Sequence, residues 1–421
     1  MMKAYPEYKD SGIEWLGQIP RGWKTRRLKY LCNLETGNRD TQDANPDGEY
    51  DFFVRAQKVE KIDSYTHECE AVLTAGDGVG VGKVFHYTTD KFSFHQRVYM
   101  MNKFKEVEGR YFYYYLSTLF ARVALDGGAK STVDSLRMPV FNNFTFTYPS
   151  IGEQQSILKF LDSEIRKINS LVHEKESFIK LLQEKRQALI SHAVTKGLDD
   201  NVTMKPSGVD WIGDIPEHWD CSFIKRFCMK ITDGAHISPD TENGIHHFIS
   251  IRDIKNDRID FQNSLLTSEE NYNYLIKTGC KPEDGDVLFS KDGTIGKSVV
   301  VPEGKDFVVA SSLIIMKVDK KRLVPEFLDF LCKSNPVQEQ VNNFVRGAAL
   351  KRLSITNILK IFGCFPPFDE QKEIVSTLKN KLSKLDSLIK ETRSSIKLLK
   401  EHRTALISAA VTGKIDVREE V

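Results

Sequence analysis

The sequence predicts an α+β protein in which two domains of mixed α/β structure are separated by two long antiparallel coiled-coil helices, as a pseudo-twofold internal repeat. Two alignments of the chain with itself predict this. Residues 11–23, SGIEWLGQIPRGW, match residues 207–219, SGVDWIGDIPEHW, at seven of thirteen positions. Residues 153–199 align without a gap onto residues 370–416, with 23 identities in 47 positions. The chain is therefore a tandem duplication whose similar parts are a tryptophan motif and a longer segment.

Each copy of the longer segment predicts a helix with an apolar seam. The seam positions recur at alternating steps of three and four, a 3.5-residue period that indicates a left-handed coiled coil. They are Leu158, Leu161, Ile165, Ile168, Val172, Lys175, Ile179, Leu182, Arg186 and Leu189, then Val375, Leu378, Leu382, Leu385, Ile389, Thr392, Ile396, Leu399, Arg403 and Leu406. We expect the seams to pack antiparallel, because a whole module of chain must fit between them. About 40 residues make a rod of about 60 Å.

The ends of both helices carry ordinary start and stop signals. Each helix is expected to begin just after a proline, Pro149 or Pro366-Pro367, and to end near Gly197 or Gly413. The predicted domains are therefore 1–150, the first domain with its tryptophan motif; 151–199, the first helix; 200–365, the second domain; and 366–421, the second helix.

The diverged segments, about 24–148 and 220–365, are expected to mix strands and helices. Strands are predicted at 79–85, 98–101, 286–289, 297–301 and 307–317. A short aromatic helix is predicted late in each module, at 111–118 and 325–333. The tryptophan motif brackets a Gly-x-Ile-Pro turn with aromatic rings, a pattern more typical of a loop clamped onto a domain than of a ligand pocket.

Composition limits the possible partners. The 421 residues include 60 lysines and arginines against 58 acidic residues, for a formal net charge of +2. Bulk charge therefore does not recruit a polyanion, and nucleic-acid binding would need local basic patches. The seven cysteines are odd in number and have no C-x-x-C spacing, which favours neither a disulfide framework nor a zinc knuckle. Without an apolar N-terminal stretch or membrane-length run, the chain is expected to be cytoplasmic.

Two glycine-rich stretches invite a phosphate-loop interpretation. They span residues 76–83 and 292–298. A Walker loop needs glycine five residues before its Gly-Lys pair, where this chain has Asp77 and Lys291. A tight turn between strands accounts for these two stretches better than a phosphate-binding loop does. A turn that presents backbone amides and Lys83 or Lys297 to a phosphate backbone remains possible.

The sequence contains no recognisable catalytic constellation. A methyltransferase of flipped bases would place Asn or Asp before Pro-Pro-aromatic, but Pro366-Pro367 lies between Phe365 and Phe368. The acidic run 282–286 lacks the Glu-x-Lys of a nuclease. The histidines lack partners at metal-ligand spacing, so structural roles are favoured; these are His236, His246 and His247.

The remaining candidates are polar side chains suited to base edges or phosphates. Arginine pairs with guanine and glutamine with adenine by two hydrogen bonds in the major groove, while lysine and serine bond phosphates. In the first module the candidates are Arg55, Gln57, Lys58, Lys83, His95, Gln96, Arg97, Lys130 and Ser131. In the second module they are Arg252, Lys255, Lys291, Lys297, Arg346, Lys351 and Arg352.

The order of these parts closely resembles the specificity subunit of bacterial type I restriction-modification enzymes. A tryptophan motif, a variable module and a helix that starts at Pro-x-x-x-Glu-Gln and ends in Ala-Leu-Ile-Ser occur twice, with Glu153-Gln154 and Glu370-Gln371 at the helix entries. The resemblance covers essentially the whole chain. It implies two target recognition domains that recognise a bipartite sequence in double-stranded DNA, with no catalysis and no cofactor in this chain.

The resemblance also implies partners. Two methyltransferase (modification) subunits, which bind S-adenosylmethionine and methylate adenine, are expected to dock on this chain. Two restriction/translocase subunits, which use ATP and Mg, are expected to dock as well. Because the two modules differ, the target is expected to be asymmetric. Two other interpretations remain: a coiled-coil scaffold that never contacts DNA, which the near-neutral charge favours slightly, and a specificity fragment of a fused restriction enzyme with its own chemistry.

Overall fold

A computed structural model describes residues 3–126, 138–236, 244–345 and 352–419. Contacts divide the chain into two units, Met1–Glu176 with Arg393–Val421, and Ser177–Thr392. Each unit contains one tryptophan motif, one module and a segment of each long helix. These units describe packing, whereas the domain boundaries given above follow chain order and remain a prediction.

The two long helices form as predicted. They span Ile151–Lys196 and Phe368–Val411. Gly197 and Gly413 follow them with φ of +82° and +71°, the left-handed conformation that ends a helix most readily at glycine. All twenty predicted seam positions are buried or half-buried, so the seam prediction is confirmed. None of the helices in the described part of the chain is long and apolar enough to cross a membrane.

The helices pack antiparallel within each unit. In the first unit Arg403 donates to Oδ1 of Asn169 at 2.7 Å, and the ammonium of Lys400 lies 3.5 Å from Glu176. Residue numbers therefore rise along one helix as they fall along the other, so the two helices run in opposite directions. In the second unit Arg186 donates to Asp386 at 3.2 Å. Arg186 and Asp386 are the repeat equivalents of Arg403 and Asn169, so both units use the same contact.

The two modules have similar strand topologies despite their different sequences, although the second sheet has four strands in the first module and three in the second. In each, a four-stranded antiparallel sheet stands beside a second sheet that contains one parallel pair. In the first module the strands of the antiparallel sheet lie in the order Asn33–Thr36, Val98–Asn102, Ala71–Ala75, Phe85–Thr88. The strands of its second sheet lie in the order Glu60–Ile62, Tyr50–Phe53, Lys91–Phe94, His67–Glu68. In the second module the strands of the antiparallel sheet lie in the order Cys228–Asp233, Leu313–Val318, Val287–Ser290, Ser298–Val300. The strands of its second sheet lie in the order Leu265–Thr267, His246–Ile249, Phe307–Val309.

Short ladders and helices complete each module. The antiparallel ladders are Tyr8–Asp10 with Gln18–Pro20, Lys24–Arg27 with Thr145–Tyr148, Met204–Pro206 with Asp214–Pro216, Asp220–Phe223 with Phe362–Phe365, and Ile254–Lys255 with Arg258–Ile259. The shorter helices are Gly109–Asp126, Met138–Asn143, Glu269–Lys277, Pro325–Lys333, Asn335–Val345 and Ile355–Ile358. Helices of the 3-10 type span Leu28–Tyr30, Thr41–Asp43, Gly78–Gly80, Ile224–Phe227 and Ile251–Asp253.

The helix predictions within the modules are confirmed, but two strand predictions are wrong. Residues 79–85 form no strand until Phe85, because glycines at 78 and 82 take positive φ values of +73° and +67° and turn the chain. The strand expected at 307–317 is two strands. They are separated at 310–312 and belong to different sheets. The predictions at 98–101, 286–289 and 297–301 are confirmed within about a residue.

The tryptophan motif is clamped onto the helix entry, as its sequence indicated. The buried indole of Trp23 donates to Oε1 of Glu153 at 2.9 Å, and the buried indole of Trp219 donates to Oε1 of Glu370 at 3.0 Å. Gly413 lies against Trp23, so the end of the second long helix contacts the first tryptophan motif. The motif thus joins the start of one helix to the end of the other within a unit.

The glutamine after each of these glutamates is buried and ties the helix to its module. In the first unit the side-chain amide of Gln154 donates to the carbonyls of Glu106 and Pro149 at 3.0 Å, and its Oε1 accepts from the Glu108 amide. Gln371 makes the equivalent bonds in the second unit, to Arg322, Pro366 and Val324. A buried amide with all these partners fixes where the module joins the helix.

Replacing Trp219 by phenylalanine is expected to lower the free energy of unfolding by about 1–3 kcal/mol, because the carboxylate of Glu370 loses a buried donor. Trp211→Phe in the same motif is the matched control, since that ring is exposed; its effect should stay within about 0.5 kcal/mol. Denaturant titration of both variants measures the difference. Equal destabilisation would contradict the clamp.

Candidate nucleic-acid interface

Three segments of the first module meet at its glycine-rich turn. A Cβ placed on Gly80 would lie 2.4 Å from the carbonyl oxygen of Arg55, and the Gly76 amide donates to the carbonyl of Arg97 at 2.9 Å. The loop after strand Tyr50–Phe53, the turn itself and residues 95–97 are therefore in contact. We call Arg55, Asp77, His95, Gln96 and Arg97 the first turn cluster.

Asp77 holds the two arginines of this cluster. Its carboxylate accepts from Arg55 at 3.0 Å and from Arg97 at 2.8 Å. Burial favours the neutral acid, but hydrogen bonds from the two guanidinium groups lower the pKa of Asp77 below its ordinary value. The Arg55 and Arg97 side chains are 43% and 59% exposed, so they keep donors on the solvent side. The result is a pair of pre-oriented guanidinium groups.

His95 and Gln96 play different roles in the cluster. His95 is buried, and burial, with nearby Arg55, lowers the pKa of its imidazole. Its Nδ1 accepts from the Arg97 amide at 3.0 Å, which makes it a support for the turn rather than an exposed reader. Gln96 is exposed and donates to Asp40 at 2.7 Å. DNA contact by either residue remains a prediction.

The other candidates of the first module lie on or beside these segments. Gln57 and Lys58 are exposed in the loop after Tyr50–Phe53, and Lys83 is exposed at the end of the turn. Lys130 and Ser131 lie outside the described residues. Of the nine residues predicted for this module, the described ones therefore gather at one end of the sheets.

The second module builds an equivalent turn from different residues. The Lys291 amide donates to the Ser312 carbonyl at 2.9 Å, as Gly76 does to Arg97, and the Leu353 amide donates to the Lys291 carbonyl at 2.9 Å. Asp292 takes the position of Asp77 and accepts from Arg352 at 3.1 Å. We call Arg252, Lys291, Asp292, Lys297 and Arg352 the second turn cluster.

Lys291 holds the turn from inside. Its side chain is 4% exposed, and its ammonium lies 2.6 Å from the carboxylate of Asp233, which also contacts His236 at 2.7 Å. Burial favours neutral Asp233, but bonds from Lys291 and His236 lower its pKa. The phosphate contact predicted for Lys291 is thus not its role in this conformation. Arg252 and Lys297 are exposed, whereas Arg346 and Lys351 lie outside the described residues.

Lys255 lies on a hairpin of the second module that has no counterpart among the described residues of the first. The hairpin turns at Asn256 and Asp257, with φ of +50° and +60°. Asp257 forms ion pairs with Arg186 of the first long helix and with Lys333, which lies 3.0 Å away. This hairpin was not predicted, although Asn256-Asp257 between Ile254-Lys255 and Arg258-Ile259 is a turn signal. The second module is therefore tied to the helix pair at an extra point.

One glycine in each module lies at a corresponding place in the fold, and the sequence comparison did not pair them. A Cβ on Gly37 would lie 2.1 Å from the Phe94 carbonyl, and one on Gly234 would lie 2.3 Å from the Ala310 carbonyl. Both glycines precede the parallel bridges Arg39 with His95 and Ala235 with Ala310. A side chain fits at neither place, so glycine marks the same close approach in both modules. Among the described residues no group of three or more His, Cys, Asp or Glu is placed to hold a metal ion.

A family model agrees with this duplicated frame. The model of the type I restriction modification DNA specificity domain matches residues 20–181 and again residues 216–398. The chain belongs to this family. Each match begins within or just after a tryptophan motif and continues into a long helix, so each covers one of the two modules.

Curated relatives of this specificity family show similarity over different lengths. The specificity subunit of the Escherichia coli type I restriction enzyme EcoDI is 30% identical over 178 residues, which is 42% of this chain and 39% of that protein. The EcoBI specificity subunit of Escherichia coli is 23% identical over 73% of this chain and 65% of that protein. The chain thus spans less than two thirds of the length of either. A putative MjaX specificity subunit of Methanocaldococcus jannaschii is 23% identical over 99% of both chains.

A solved structure shows the same fold for this specificity protein. A chain described in a study of complex assembly and conformational transition of the type I R-M system superposes with a TM-score of 0.68 at 14% identity. The match covers 94% of this chain and 99% of that one. The α+β class with two long helices is thereby confirmed.

Proposed function

We propose that this chain is the DNA-recognition subunit of a type I restriction-modification complex and has no catalytic activity of its own. Each module recognises one half of a bipartite, asymmetric target in double-stranded DNA. The paired helices set the number of base pairs between the halves. Membership of the specificity family supports the general role, and the two turn clusters support one recognition site per module.

One observation carries the proposal of two separate readers. The same turn occurs at the same place in the same fold, yet it presents different side chains. Asp77 orients Arg55 and Arg97 in the first module, and Asp292 orients Arg352 in the second. Guanidinium groups with free donors suit guanine edges or phosphates. Two different sets at equivalent places recognise two different sequences, which accounts for the asymmetry of the target.

The repeat also supports docking of two identical partners. Leu171 and Leu388 are repeat equivalents that are 44% and 43% exposed, and Leu181 and Leu398 are equivalents that are 61% and 64% exposed. Each unit carries one of each kind. Because the exposed leucines occur in repeat-equivalent pairs, each unit offers a partner the same two side chains. We assign them to two methyltransferase subunits, with two restriction/translocase subunits completing the complex. S-adenosylmethionine, ATP and Mg then belong to those partners, and this chain needs no cofactor.

A gel shift with a mixed-sequence duplex separates this function from that of a scaffold without DNA binding. We expect binding that weakens steeply with salt, because counterions leave the phosphates when lysine and arginine bind them. Arg55→Gln and Arg97→Gln should each lower the slope of log affinity against log salt by about one. Arg21→Gln is the control, because Arg21 pairs with Glu7 at the tryptophan motif.

Three outcomes would contradict the proposal. Binding that is absent, or insensitive to salt, would favour the scaffold. Equal slopes for the Arg55, Arg97 and Arg21 variants would show that the first turn cluster makes no phosphate contact. Methylation of DNA by this chain alone with S-adenosylmethionine would instead support a fused enzyme with its own chemistry.

A further inference from the structure

The thiols of Cys221 and Cys364 lie together where the second module closes. The strands Asp220–Phe223 and Phe362–Phe365 pair antiparallel, with Cys221 directly opposite Cys364. Their sulfur atoms are 3.3 Å apart. One strand follows the tryptophan motif and the other precedes the second long helix, so the pair joins the two ends of the module.

The ladder holds these residues at a distance that a disulfide can span. The Ile224 amide donates to the Ile361 carbonyl at 2.9 Å, so the ladder has a hydrogen-bonded position at these two residues. Such pairs alternate with non-hydrogen-bonded pairs along an antiparallel ladder, and Cys221 with Cys364 is three places further on. Cys221 and Cys364 are therefore a non-hydrogen-bonded pair, the kind whose Cα atoms lie about 4.5 Å apart. Disulfides accept Cα separations of about 4.4–6.8 Å.

The two thiols are chemically unequal. Cys364 is almost fully buried, while Cys221 is half-buried. A hydrogen bond from the Cys364 thiol, and the nearby charge of Lys205, lower the pKa of Cys221 against the effect of its burial. Donating that bond, together with burial, raises the pKa of Cys364. The more accessible thiol is thus also the better nucleophile.

We propose that Cys221 and Cys364 form a peroxide-oxidation site that closes into a disulfide. The Cys221 thiolate attacks one oxygen of a hydroperoxide such as hydrogen peroxide. An S–O bond forms, the O–O bond breaks, and the departing hydroxide takes a proton to become water. The Cys364 sulfur then attacks the sulfenic sulfur, and the S–O bond breaks. The second hydroxide leaves as water with the Cys364 proton. Two thiols lose two electrons, and one peroxide becomes two waters.

The first module provides an internal comparison. At the equivalent place Thr25 stands opposite Thr147 on the strands Lys24–Arg27 and Thr145–Tyr148. Threonine cannot be cross-linked in this way, so oxidation acts on the second module alone. Cys221 and Cys364 are 143 residues apart in sequence, and closing so long a loop restricts the unfolded chain. The oxidised second unit should therefore melt at a higher temperature than the reduced one. This inference does not depend on DNA binding.

Peptide mapping of the full chain after hydrogen peroxide treatment tests the site. After alkylation, trypsin releases residues 197–225 and 361–372, each with a single cysteine, because the Lys205-Pro206 bond resists cleavage. We expect one cross-linked pair of these peptides, lighter than their sum by two hydrogens, which dithiothreitol separates. Recovery of both peptides alkylated, of Cys221 as unlinked sulfinic acid, or of Cys221 linked to another cysteine would overturn the proposal.

Three variants keep the test from depending on whether any one altered protein folds. Cys364→Ser should leave Cys221 as a sulfenic acid that dimedone traps, and Cys221→Ser should lose both products. Thr25→Cys combined with Thr147→Cys, in the Cys221→Ser background, should form a new cross-link in the first module. Failure of that engineered pair would contradict the claim that the ladder position sets the geometry.

Discussion

Inserting four residues after Gln183 is expected to lengthen the unread gap of the target by one to two base pairs. Four helical residues add about 6 Å, and one base pair occupies about 3.4 Å. The insertion falls in the part of helix Ile151–Lys196 that packs on the second long helix, near the contact of Arg186 with Asp386. Coiled coils absorb four-residue insertions by local unwinding, so the seam survives.

The comparison variants locate the effect in the helix. The same four residues inserted after Asp200, in the connection beyond the helix, should leave the gap unchanged. A matching insertion after Leu388 in the second helix should remove this local unwinding without shortening the gap. Mapping modified adenines in cells reports the gap and both half-sites together. Changed bases within a half-site, at an unchanged gap, would contradict the spacer role.

Replacing residues 24–148 by the module of another specificity subunit is expected to change one half of the target completely. The other half and the gap should stay as they are. The cut points are adjacent in the structure, because Lys24 pairs with Tyr148 at the end of one ladder. The clamp of Trp23 on Glu153 lies outside the exchanged segment and keeps the module in place.

The exchanged module must keep two contacts with the helices. The Tyr111 hydroxyl donates to the Val411 carbonyl at 2.9 Å, and Arg110 forms an ion pair with Asp162. A donor that supplies both groups is the proper test, and one that lacks them controls for loss of packing. A change in both half-sites with the well-matched donor would count against independent recognition by the two modules.

The sequence predicted the frame of this protein well because its signals are periodic and repeated. The 3.5-residue seam and the glycines after each helix were enough for the long helices. The modules were harder. Gly78 and Gly82 lie within an apolar run that resembles a strand, and only their positive φ values show the turn. The sequence did not show that the two modules share a fold. What they share is close contact between backbone segments, as at Gly37 and Gly234, and not a common set of side chains.

The residues proposed to contact DNA were chosen only as groups that attract DNA, so the acidic side chains that hold them were not among the candidates. Arg55 and Arg97 were among the candidates and lie together in the structure, but Asp77, the carboxylate that orients both, was not. Lys291 was also named as a DNA contact, whereas in the structure it pairs with Asp233 inside the module. Burial and acidic partners follow from tertiary packing, which sequence spacing does not report.

The central claim is that one duplicated frame holds two different DNA readers at a fixed separation. Co-expression of the full chain with methyltransferase subunits of this family, followed by genome-wide mapping of modified adenines, tests it most directly. We predict one bipartite, asymmetric sequence with a constant gap, modified only when this chain is present. Modification at a continuous or symmetric sequence, or modification that does not require this chain, would contradict the claim.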